Sequence, residues 1–141
     1  MSKNRNLDAG VFDAAECDVS QPKELSNLAS KLYARRAEAL EVPFLDVQVS
    51  HWRPHPGLCH ANADFYALVE SCKAVRGWFV VDRGDEGFMF VPHSVIETQD
   101  GNLVDITPPR GSERPRFLRH IGDDFDELID SSGLRWLIHE R

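Results

Sequence analysis

The stretch FMFVPHSVIETQDGNLVDIT, residues 88–107, limits the fold of this chain more than any other. A long apolar strand pattern covers FMFVPHSVIE, a Gln-Asp-Gly turn interrupts it, and NLVDIT returns. Two strands joined by so short a turn can pair only antiparallel. WFVVD, at 78–82, supplies another apolar strand ahead of them, across the turn RGDEG. Pro108 and Pro109 stop the returning strand, because proline offers no N–H to a ladder.

Upstream the hydrophobic period changes from strand to helix. In SQPKELSNLASKLYARRAEALE, Leu25, Leu28, Leu32 and Tyr33 recur at helical spacing, with Ala29 and Arg36 around them. Ser20 is the expected N-cap, Pro22 falls near the first turn, and Pro43 is the expected end. FLDVQVSHW alternates and reads as an extended segment; RPHPG reads as a loop. From Leu58 to about Val75 the period is helical again. Leu58, Ala61, Phe65, Leu68, Val69 and Cys72 form one apolar stripe, and Gly77 is the expected stop. After the hairpin come a loop at RGSERPR, then FLRHI, a helix at DDFDELID, and LRWLIH. The expected class is α+β, with helices packed on a small antiparallel β-sheet.

At 141 residues the chain is expected to form a single domain, 1–141, with residues 1–20 as an irregular lead. The 16 Lys+Arg against 23 Asp+Glu give a formal charge of -7, which argues against nucleic acid as the main partner. No stretch approaches the roughly 20 apolar residues of a membrane helix. The opening MSKNRNLDAGVFDAAECD has no apolar core of a secretory signal, so a cytoplasmic protein is expected. The three cysteines, Cys17, Cys59 and Cys72, include no CxxC pair and do not form a disulfide framework.

Three residues stand where chemistry needs them. Cys59 opens the second helix, where unpaired N–H groups and a partial positive charge favour thiolate over thiol. His93 lies within the long strand, and Asp105 in the strand that returns. A histidine near the thiol takes its proton. An acid on the other ring nitrogen fixes the tautomer and the ring direction. Whether these groups meet depends on the turn. A two-residue loop pairs Gln99 with Asn102, sets Ile96 opposite Asp105 and turns His93 to the other face. A three-residue loop with Gly101 left-handed pairs Thr98 with Asn102, sets Val95 opposite Asp105, and makes His93 and Asp105 diagonal neighbours on one face. The three-residue loop is the expectation.

CHAN, PHSV and LVDITP, in that order and spacing, resemble the papain-like cysteine hydrolases in the broad sense, including the transglutaminase-like and NlpC/P60-like branches. The resemblance covers roughly residues 45–109. It implies a catalytic core there, with Cys59 as nucleophile, His93 as base and Asp105 as orienting acid. It implies a hydrolase or acyltransferase working through an acyl-thioester on an amide or ester bond, without cofactor or metal. The substrate would be a peptide, a protein or a small amide. In such enzymes a glutamine upstream of the cysteine often donates to the oxyanion. Gln48 is the candidate here, farther from Cys59 than the pattern usually has it.

Each residue also has a plainer role. Cys72 belongs to the apolar stripe and reads as core; Cys17 lies in the polar lead. His93 shares a face with Met89, Val91 and Val95 and would also suit a packed core histidine. His60 is turned from Cys59 by a helical step of about 100° and is expected at the rim of a substrate groove. Asn62 would contact substrate or hydrogen-bond the loop, the loop being favoured. Trp52 and Trp78 would wall a pocket or pack. Asp105 would be a turn-side surface acid or, if buried between Val104 and Ile106, would need His93 or an arginine as partner. Two other functions compete: a papain-like module that binds without turnover, and a metal site drawn from Cys59, His60, His93 and Asp105, with His51 and His55 in reserve.

Overall fold

The computed structural model describes residues 21–141. Ser20 and Cys17 lie outside them. Among the described residues, three α-helices and an antiparallel sheet make an α+β fold. Helix α1 spans Lys23–Ala34 and follows Pro22, whose extended backbone leads into the first turn. It buries Ala29 and Leu32, and Leu25, Leu28 and Tyr33 pack beside them. The helix stops well short of Pro43. A 3-10 turn at Arg36–Glu38 follows, and Leu40 then exchanges both backbone hydrogen bonds with Phe117. Pairing with a distant strand overrides local helical preference there.

Helix α2 is Cys59–Glu70. It begins at the expected cysteine but ends earlier than expected, at a left-handed Ser71. Strand β1, Lys73–Asp82, starts at once. It pairs along its whole length with β2, Phe88–Glu97, from Lys73↔Glu97 to Asp82↔Phe88. Residues 73–77 therefore join the sheet, and Gly77 is no helix stop. A Cβ at Gly77 would lie 2.4 Å from the Leu118 carbonyl oxygen and from Phe117 Cζ, so the glycine permits a close approach inside the sheet.

The face of α2 is also reversed. Asn62 and Ala63 are buried, and Tyr66 and Ala67 pack with them toward β1 and β2. Leu58, Phe65, Leu68 and Val69 are 53%, 40%, 82% and 44% exposed, so the expected apolar stripe faces outward. Small side chains at Ala63 and Ala67 bring the helix close to the sheet. The bulky stripe could not sit there without pushing it away.

The sheet order is β3-β2-β1-β4, with β3 at Leu103–Val104 and β4 at Arg116–Arg119. Helix α3, Phe125–Ser132, precedes β5, Leu137–His139, which also pairs with β2. The outer edge of β2 thus carries β5 at Phe88–Phe90 and β3 at Ile96 and Glu97. Residues 91–95 have no strand partner on that side among the described residues. Pro92 occupies this gap, where a missing N–H costs no ladder bond. Trp78, Phe90, Leu118 and Leu137 centre the core beneath α1 and α3. Among the described residues no helix is long and apolar enough to cross a membrane.

Candidate active site

The hairpin turn takes the three-residue form. The Thr98 N–H donates to the Asn102 carbonyl at 2.8 Å, and Gly101 is left-handed at φ 88°. Ile96 pairs with Val104 and Glu97 with Leu103. That register sets His93 and Asp105 on one face, with His93 Nε2 2.7 Å from Asp105 Oδ2. The His93 ring stacks on Phe79, centroids 3.8 Å apart.

Asp105 is 1% exposed. Its Oδ1 accepts the Thr107 N–H at 3.0 Å, and its Oδ2 also accepts Arg114 Nη1 at 2.8 Å. A buried carboxylate needs such partners to stay ionised. Arg114 comes from the loop after the sheet core. The sequence signalled that the acid needed a cation, and nothing in the loop RGSERPR singled out this arginine as the one to reach it.

Cys59 is the first residue of α2, and Asn62 holds the loop before it in place. The Asn62 Oδ1 accepts the His55 N–H at 3.1 Å, while Nδ2 donates to the His55 carbonyl and to Thr107 Oγ1, both at 2.9 Å. Asn62 is 2% exposed and its amide is committed to the protein, so it holds the loop.

The thiol meets both His60 and His93. Burial pushes the Cys59 thiol up, but hydrogen bonds from His60 and His93 outweigh it and bring it down to about 6. Burial pulls His93 down, and Asp105 and Cys59 together raise it to about 9. The two shifts run in opposite directions, the thiol down and the imidazole up, which favours a thiolate–imidazolium pair. With Nε2 on Asp105, Nδ1 is the ring nitrogen left for the sulfur.

His60 does not sit at a groove rim. It is half-buried, and its Nδ1 lies 2.6 Å from Ser94 Oγ. That oxygen also accepts Arg76 Nη1 at 3.0 Å. Arg76 is anchored by Asp64 at 2.9 Å and Asp126 at 2.8 Å. Ser94 Oγ thus links the His60 ring to Arg76. Strand alternation explains the arrangement. His93 and Ser94 point to opposite faces of β2, and the neighbours Cys59 and His60 meet one each. A helical step alone does not show this.

The other candidates fall away from the site. Gln48 is exposed and donates to the Ser50 carbonyl at 2.9 Å. Trp52 packs on Phe65, centroids 4.5 Å apart. Trp78 is fully buried, and its Nε1 donates to His120 Nδ1 at 3.1 Å. None of the three lines the cavity that holds the cysteine. That cavity, about 380 Å³, is lined by Cys59, His93 and Asp105 with Phe79, Arg110 and Arg114, and it opens beside the unpaired stretch of β2. Among the described residues no three His, Cys, Asp or Glu side chains are placed to hold a metal ion.

Compared with family models, with curated proteins and with solved structures, the chain finds no match in any of the three.

Proposed function

We propose that this protein is a cysteine hydrolase or acyltransferase with a papain-like core, acting on an amide or ester carbonyl. The supporting observation is that Cys59, His93 and Asp105 line one cavity, with the His93–Asp105 bond at 2.7 Å. The Cys59 thiolate attacks the carbonyl carbon and its electrons move to oxygen. The N–H groups at the start of α2 face the developing charge. Collapse expels the amine or alcohol, which takes the proton from His93 Nδ1. Water or a second nucleophile then gives its proton to His93 and attacks the thioester, releasing the Cys59 thiolate. Asp105 keeps its negative charge throughout and holds the ring.

The test is alkylation of each cysteine across pH, resolved by mass spectrometry, in wild type and His93→Ala. The midpoint is the readout, because a low-pKa thiolate is individually less nucleophilic and rate alone blurs the contrast. Cys59 is expected to label with a midpoint near 6 that rises in the variant. p-Nitrophenyl acetate should acetylate Cys59 and turn over in wild type, whereas in His93→Ala the acetyl group should be formed slowly or retained. A Cys59 midpoint equal to those of the other cysteines, with no acetyl-enzyme, would leave a binding module in place of the enzyme.

A further inference from the structure

The cavity is lined by six ionisable groups, Cys59, His93, Asp105, Arg110, Glu113 and Arg114. Cys59 and His93 compensate one another, and Asp105 compensates Arg114 at 2.8 Å. Arg110 also lines the cavity, is exposed, and has no hydrogen-bond or ion-pair partner among the described residues. Its guanidinium rests on the backbone of Gly57. A Cβ there would stand 2.2 Å from Arg110 Nη2 and 3.2 Å from Cζ. Gly57 precedes Cys59 by two residues, so their Cα atoms are at most roughly 7 Å apart. A permanent cation therefore lies close to the chain that leads into Cys59. Glu113, on the same loop, lines the cavity as well, but nothing lays it against the chain that enters Cys59.

We propose that Arg110 is a specificity residue that receives a carboxylate of the substrate. The compound attacked at Cys59 then carries a carboxylate within a residue or two of its scissile carbonyl. The planar guanidinium fork matches a carboxylate with two parallel hydrogen bonds, which a lysine cannot reproduce. The assignment rests on Cys59 being the nucleophile proposed above.

Iodoacetate and iodoacetamide differ chiefly in that one carries a carboxylate and the other a neutral amide. The experiment measures the ratio of their second-order rates at Cys59 in the full chain, at one pH between the two titrations. In Arg110→Gln the iodoacetate-to-iodoacetamide ratio should fall about 2–5-fold, the range of an exposed ion contact. Arg110→Lys should restore part of it. Glu113→Gln should leave the ratio unchanged or raise it. Added salt should lower the wild-type ratio more than that of Arg110→Gln. A ratio unchanged in Arg110→Gln overturns the proposal while the nucleophile stands. A Cys59 inert to both reagents in wild type overturns the nucleophile, and this assignment with it.

Discussion

The two ends of α2 each present a cysteine, and they differ in almost everything but the residue type. At the start, Cys59 shares a cavity with His93 and has His60 beside it, at the end of the helix where N–H groups point outward. Just past the other end, Cys72 Sγ lies 3.5 Å from the Glu70 carbonyl oxygen and packs beside Ala63, Ile96 and Ile106. A helix is polar along its axis, so its two termini are different chemical environments for the same thiol. Tertiary structure widens the difference by bringing His93 to one end only.

The largest expected effect comes from the group that supports the Cys59 end from behind. Asp105→Ala leaves Arg114 and His93 without their shared acceptor, and should cost about 3–5 kcal/mol in urea unfolding. A loss under about 1 kcal/mol would mean the carboxylate is not the pivot. Next is His93→Gln. Removing the cation destabilises the thiolate, so the Cys59 alkylation midpoint should move up by about one to two pH units, while that of Cys72 stays put. If the two cysteines already titrate together in wild type, the contrast between the helix ends collapses. For turnover, the sign follows from both groups. Activity should rise as Cys59 ionises near about 6 and fall as His93 loses its proton near about 9, giving a bell-shaped profile.

Smaller effects sharpen the picture. His60→Phe should also raise the Cys59 midpoint, by about a unit or less, and Ser94→Ala should do so more weakly by releasing the His60 ring. An unmoved midpoint in both would make the second histidine a packing residue. Along the same helix, Ala63→Leu should cost about 1–3 kcal/mol, whereas Leu68→Asn should stay within about 0.5 kcal/mol. The opposite result would return the apolar stripe to the core.

Much of the Cys59 end is legible in the sequence. The helix start at Cys59 follows from Pro56-Gly57 ahead of a helical run. The strand limits of β2 match the apolar segment residue for residue. The three-residue turn was readable because glycine at 101 suits a left-handed position, and a shift of one residue would reverse the side on which His93 points. Asp105 announced its need of partners by standing between two apolar neighbours. The other end of the helix was misread. Helical spacing through Cys72 is real, but the ladder from Lys73 to Asp82 takes the following residues into the sheet. The apolar stripe was misassigned because the face that packs is the one with small side chains.

By itself, then, the sequence determined what is local and periodic: an α+β chain, an antiparallel hairpin in a definite register, and a cysteine at a helix start. These depend on φ/ψ preference and side-chain alternation over a few residues. Only the tertiary structure decided which face of α2 is buried, that Arg114 and His93 share one carboxylate, and that His60 is fixed through Ser94 by Arg76. Those contacts join segments far apart in the chain. Their geometry is set by how closely a helix can approach a sheet and by where buried charges find partners, and neither leaves a mark in a short window of sequence.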